Sequence, residues 1–176
     1  DDGASKAQEA TRDYVVSARE YDYSLMINIF GGKITTFRRL SETILSHIEN
    51  FLGKRGKSWT ENSHLPGGDI KVATLSEFEA KLKSKYSFFT NELIRRLARS
   101  YGEISFDIFG DANSLDSLGE NFGAGLYEAE VQYLINKEWA RSSDDILFRR
   151  SKLGLLLSET EVENLNLFLK NYNTKS

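Results

Sequence analysis

Asn28-Ile29-Phe30-Gly31-Gly32-Lys33-Ile34-Thr35-Thr36-Phe37-Arg38 is the stretch around which the chain is organised. An apolar run enters two glycines, then a lysine, and leaves through two threonines into a long amphipathic segment. A strand that turns through glycine into a helix gathers backbone N–H groups and the positive end of a helix dipole at one point, which suits negative charge. Gly31 and Gly32 carry no Cβ, so a flat ligand or another backbone can approach closely. A phosphate-binding P-loop is excluded by spacing. It needs a glycine five residues before the Gly-Lys pair and Ser or Thr directly after it, and those positions hold Ile27 and Ile34.

Upstream, Tyr14-Val15-Val16 and Leu25 to Phe30 are β-rich runs on either side of a polar Ser17-to-Ser24 turn region, which predicts a hairpin. Downstream, Phe37, Leu40, Ile44, Ile48 and Phe51 recur at three-and-four spacing, so a helix is expected from Thr35 to Leu52, stopped by Gly53 and Gly56. Leu65-Pro66-Gly67-Gly68 has the proline and glycine order of a type II turn. Ser76 with Glu79 is expected to cap a short helix carrying Phe78 and Leu82. Another helix should open near Thr90 and close at Gly102. After a short helical turn at Ile104–Phe109, residues 110–125 read as loop. Leu126 to Trp139 reads as the central core helix, with Tyr127, Val131, Leu134 and Ile135 inward and Glu128 and Glu130 on a solvated edge. Trp139 reads as a core or domain-interface anchor. Ser142 or Ser143 should cap a short helix with Asp144 and Asp145 in its first turn and Arg149, Arg150 and Lys152 in its last. Ser158 and Glu161 then form a capping box for a final helix whose stripe is Val162, Leu165, Phe168, Leu169 and Tyr172. The fold class is therefore mainly α, with about five to six helices preceded by a short β-hairpin.

The 176 residues are enough to bury a real core. With no cysteine there is no disulfide framework or thiolate metal site. His47 and His64 have no partner at metal-ligand spacing, so no metal site is expected. A net charge of −3 argues against nucleic acid as a partner. No apolar run approaches the roughly 20 residues of a spanning helix. The polar start at Asp1-Asp2-Gly3, without an initiating Met, reads as a piece of a longer protein.

The Gly-Gly-Lys-x-Thr-Thr-Phe-Arg segment resembles one in the flavin-dependent glycerol-3-phosphate dehydrogenases, where it ends the FAD domain and opens a C-terminal helical domain. Three further stretches are similar to the same family: Thr11-Arg12-Asp13-Tyr14, Leu65-Pro66-Gly67-Gly68, and Tyr127-Glu128-Ala129-Glu130-Val131 running on through Glu138-Trp139-Ala140-Arg141 to Arg149-Arg150. Each alone is weak, but the set covers nearly the whole chain in the family's order. The resemblance implies that residues 1–36 are the end of the FAD domain and 37–176 the helical domain. It also implies a parent that oxidises sn-glycerol 3-phosphate with FAD and passes electrons to a quinone, as a peripheral enzyme on the inner face of the cytoplasmic membrane, often dimeric. Most of the FAD site would lie upstream, and the fragment alone would be inactive. An oxidase that uses oxygen, or a non-catalytic helical interaction module, are the alternatives.

Read without the resemblance, Gly31 to Thr36 is a glycine bend with a solvated lysine. The resemblance places Gly31, Gly32, Lys33, Thr35 and Thr36 against the flavin, where the Lys33 charge would stabilise the reduced ring. Arg12 alone is a surface ion-pair partner. The resemblance puts it at the substrate phosphate, where a guanidinium can make paired hydrogen bonds. Asp144 and Asp145 are adjacent on a helix and diverge, so they serve capping and ion pairs and not paired acid–base chemistry.

Overall fold

We describe the fold of residues 14–173 from a computed structural model. The chain divides into two compact units between Ser63 and His64. In the first, β1 (Val15–Tyr21) and β2 (Ser24–Phe30) form an antiparallel hairpin. The closing pair is Tyr21 with Ser24, so the turn is only Asp22-Tyr23 and the expected long polar turn is ladder instead. Polar side chains do not prevent pairing, because alternate residues of a strand face outward while the backbone bonds laterally. The pairs Val16–Ile29 and Ala18–Ile27 share one face of the hairpin. The opposite face carries Val15, Tyr21, Met26 and Phe30, each about half exposed.

A 3-10 turn (Ile34–Thr36) leads into α1 (Phe37–Leu52), so the helix proper starts two residues later than its periodicity suggests. Gly53 (φ +86°) ends it, with its N–H donating to the Glu49 carbonyl at 2.8 Å. The segment after α1 is tied back through Glu42, whose carboxylate accepts from the Ser58 hydroxyl (2.6 Å) and the Thr60 hydroxyl. Among the described residues, every fully buried hydrophobic side chain lies beyond this unit, between Phe78 and Leu169.

The second unit is helical: α2 (Leu75–Lys85), α3 (Asn91–Tyr101), α4 (Ile104–Phe109), α5 (Glu128–Glu138) and α6 (Glu159–Asn173). The cap of α2 is Thr74, not Ser76. The Thr74 hydroxyl accepts from Glu77 N–H at 3.2 Å and the Glu77 carboxylate accepts from Ala73 N–H at 3.1 Å. The two Ser/Thr-x-x-Glu patterns overlap here, and the earlier one gains helix ahead of Phe78 and Leu82, both fully buried. The Thr90 cap, the Gly102 stop and the Ser158–Glu161 box are as expected. Gly67 has φ +79° and Gly68 N–H donates to the Leu65 carbonyl at 2.8 Å, as a type II turn requires. This turn is pressed against the end of α3. A Cβ at Gly67 would strike the Tyr101 carbonyl, and one at Gly102 the Gly67 carbonyl.

Phe78, Tyr86, Phe89, Leu97, Val131 and Leu134 lie at the core of this unit. Ring pairs such as Tyr86–Phe89, with centroids 5.1 Å apart, lock its centre. Of the two places expected for Trp139, the core is ruled out: it is 78% exposed, in the left-handed conformation (φ 57°). The turn it makes lets Ala140 N–H close the helix on the Leu134 carbonyl at 3.0 Å, and the fully buried Ala140 takes the inward place.

Candidate functional site

At the Gly31-Gly32-Lys33 junction the backbone leaves β2 with φ +72° at Gly31 and +117° at Gly32. These conformations suit glycine alone, so the bend is written into the residue type. A Cβ at Gly32 would find only ordinary contacts, 3.8 Å to Tyr14 Cβ and 3.9 Å to Leu40 Cδ2, which leaves the backbone open to approach. Lys33 and Thr35 are exposed. Neither Lys33, ahead of the 3-10 turn, nor Thr36, ahead of α1, caps with its side chain. The Thr36 hydroxyl instead donates to the Lys33 carbonyl at 3.1 Å, which fixes the bend internally. The result is an open, cationic strand-to-helix corner. Its two glycines leave the backbone uncovered beside the exposed Lys33. Arg12 lies outside the described residues.

The charged group at the end of α5 is structural. Asp145 opens a single π-helical turn (Asp145–Arg150) and accepts from the N–H groups of Arg141 (2.9 Å) and Ser142 (3.0 Å). Those bonds, Arg141's first, hold its carboxyl below the usual carboxylate range, and Arg149 at 3.0 Å adds charge. Ser142 is the capping residue, accepting from Asp145 N–H at 3.2 Å. The Arg150 guanidinium donates twice to the Glu138 carbonyl, at 3.1 and 2.8 Å, and so ties this turn to the end of α5.

Sequence reasoning missed the most deeply buried charge. Glu130 is completely buried, not on a solvated edge. Arg96 Nη1 and Nη2 donate to its two carboxylate oxygens at 2.6 and 2.7 Å, and the Tyr101 hydroxyl donates to Oε1 at 2.7 Å. Burial lowers the tendency of Arg96 to hold its proton, but the hydrogen bond and charge of Glu130 outweigh it and raise the pKa. Burial, and then the Glu130 charge, push the Tyr101 phenol up. The signal was present: Glu130 falls between Leu126 and Leu134 at four-residue spacing, inside an apolar stripe, where a carboxylate needs a buried partner. Among the described residues, no group of three acidic or histidine side chains could hold a metal ion.

Residues 58–169 match the family described as the C-terminal domain of alpha-glycerophosphate oxidase. The chain is 39% identical over 161 residues to the D-erythritol 1-phosphate dehydrogenase of Brucella abortus, covering 92% of this chain and 32% of the relative. It is 38% identical over 173 residues to the aerobic glycerol-3-phosphate dehydrogenase of Escherichia coli, covering 98% and 34%. With the human mitochondrial glycerol-3-phosphate dehydrogenase the identity is 31% over 172 residues, covering 94% and 23%. The chain thus spans about a third of the length of its bacterial relatives.

Proposed function

Because the chain belongs to the family of the C-terminal domain of alpha-glycerophosphate oxidase, we propose that its parent protein oxidises sn-glycerol 3-phosphate to dihydroxyacetone phosphate with FAD. The observation that carries this reading is similarity to glycerol-3-phosphate dehydrogenases along nearly the whole chain. When bound, FAD would accept the hydride from the substrate carbon. This chain's part is to close one side of that site: Gly31 and Gly32 allow contact, Thr35 and Thr36 turn the chain into α1, and Lys33 places a positive charge where the ring gains electrons. Arg12 would hold the substrate phosphate. Residues 1–36 would belong with the upstream FAD domain. The hairpin face that carries Val15, Tyr21, Met26 and Phe30, each about half exposed, supports a unit that is completed by other parts of the parent.

In this proposal electrons go on to a quinone at the inner face of the cytoplasmic membrane, with the parent peripheral and able to form a homodimer. Among the described residues no helix is long and apolar enough to cross a membrane. Transfer to oxygen, as the word oxidase in the family description suggests, is the second acceptor reading. The Brucella relative favours a second substrate reading, a four-carbon polyol phosphate.

The test is anaerobic mixing of the full-length parent with each polyol phosphate while its flavin absorbance is followed. Bleaching by sn-glycerol 3-phosphate, faster than by D-erythritol 1-phosphate, is expected. The reverse order would reassign the substrate, and no bleaching by either would end the dehydrogenase reading. Reoxidation by a quinone analogue or by oxygen then separates the acceptors.

A further inference from the structure

Gly31 and Gly32 let the chain leave β2, but nothing in their own atoms fixes the direction in which α1 departs. Val15 pairs with Phe30, so Tyr14 stands one step past the ladder, across from Gly31. Tyr14 Cβ lies 3.8 Å from the place a Cβ on Gly32 would take, and Leu40 Cδ2 lies 3.9 Å from the same point. From there the Tyr14 side chain reaches α1, where its hydroxyl meets the Thr43 hydroxyl at 3.3 Å. Thr43 Oγ1 gives its one proton to the Arg39 carbonyl at 2.9 Å, so the Tyr14 O–H donates to Thr43. Tyr14 thus bridges the start of β1, the glycine corner and the second turn of α1.

This bridge supplies what apolar packing cannot. α1 returns along the hairpin, so that Ile48, Phe51 and Leu52 near its end line one groove with Tyr23, Leu25 and Ile27. Apolar contact of that kind is non-directional, and Leu40, Ile44, Ile48 and Phe51 are only partly buried. A helix held in this way can slide or roll while keeping its contacts, whereas a hydrogen bond weakens steeply once its geometry is lost. Lys33 moves with the helix: the Thr36 hydroxyl and the Thr36 N–H both donate to the Lys33 carbonyl, at 3.1 and 3.0 Å. Whatever fixes α1 therefore fixes Lys33.

We propose that Tyr14, through Thr43, is a positioning residue for the Lys33 corner: the hydroxyl pair latches α1 to the start of β1 across the two glycines and so sets where the Lys33 charge stands. The inference rests on the reading of Lys33 as the charge beside the reduced flavin. A charge acts on the ring more weakly as distance grows, and a displacement of about 1 Å at a reacting centre can cost on the order of a hundredfold in rate. Loss of one hydroxyl on the second turn of α1 is transmitted to that charge through the Thr36 bonds to Lys33.

The test uses the full-length, flavin-loaded parent and reads the flavin reduction potential, the turnover number and hydrogen–deuterium exchange at the corner. Tyr14→Phe and Thr43→Val should each lower the potential, the direction expected of Lys33→Met, and reduce turnover on the order of tenfold. Both should speed exchange of the Thr36 and Phe37 amides, which donate to the Lys33 and Ile34 carbonyls. The double variant should be no worse than either single one, because both remove the same contact. Thr43→Ser keeps the hydroxyl and should restore potential and exchange. Ser41→Ala removes an exposed hydroxyl that bonds to the Phe37 carbonyl of the same helix at 2.9 Å, and should change neither. Additive losses, a Thr43→Ser as impaired as Thr43→Val, or an unchanged potential in a folded Tyr14→Phe would each overturn the inference. If Lys33→Met lowers the potential and Tyr14→Phe does not, the latch falls and the flavin reading of the corner stands. If Lys33→Met leaves it unchanged, that reading falls and takes the latch with it.

Discussion

Arg96 on α3 and Glu130 on α5 face each other through a two-point ion pair, with N–O distances of 2.6 and 2.7 Å, and Glu130 has no exposed surface at all. The pair joins two helices that are distant in sequence. Breaking such a pair by removing one partner strands a charge, which costs about 3–5 kcal/mol, whereas replacing both with apolar groups costs much less. Glu130→Leu and Arg96→Met should therefore each lower unfolding free energy by about that amount, and the double variant should recover most of the loss. Urea denaturation of the three variants checks this, and additive losses would mean that the pair contributes no coupling.

The Leu65-Pro66-Gly67-Gly68 turn makes a sharper steric prediction. Gly67→Ala combines a left-handed φ with a backbone collision at Tyr101, so it should destabilise by more than about 2 kcal/mol, beyond the ordinary cost of a non-glycine residue there. Gly53→Ala also has a positive φ, but with open space around it should cost only backbone strain, about 1–3 kcal/mol, and less than Gly67→Ala. Equal losses in thermal melts would show that the turn can move away from α3.

Asp145 should make acid stability visible. Its folded pKa lies below that of the unfolded chain, about 3.9, so between the two values the unfolded chain binds more protons. Its contribution is complete above the unfolded pKa and is lost as pH falls through the folded one. Asp145→Asn should be less stable than the parent sequence at pH 7, with the gap closing below about pH 4. A gap independent of pH from 7 to 2 would contradict the assigned cause.

Lys33 is best probed in the full-length enzyme. Lys33→Met should lower the flavin reduction potential, by about 30 mV for each ~1.4 kcal/mol of lost preference for the reduced ring, with the helical unit's melting temperature nearly unchanged. The turnover number should fall more than substrate affinity, since the interaction grows as charge develops. Arg12→Met should show the opposite bias, mainly raising KM. An unchanged potential in a folded Lys33→Met would leave that corner a role through its backbone alone.

The sequence by itself determined what depends on local periodicity and residue chemistry. The helix stripes Leu93-Ile94-Leu97-Tyr101 and Val131-Leu134-Ile135, the Thr90 and Ser158 caps, and the glycine bend at residues 31–32 follow from side-chain spacing and positive φ, and short-range rules describe them well. Tertiary structure decided what depends on partners far along the chain. The strands were longer than their apolar residues because ladder bonds run between backbones. Glu130 went inside because Arg96 and Tyr101, 34 and 29 residues away, were there to satisfy it. Trp139 went outside because closing α5 on Leu134 required a left-handed residue at that place, and the next position, not its own, turned inward. Spacing alone sets Glu130 in an apolar stripe, but which distant groups satisfy a charge there, and which residue turns outward at the end of α5, depend on partners that no rule along the chain names.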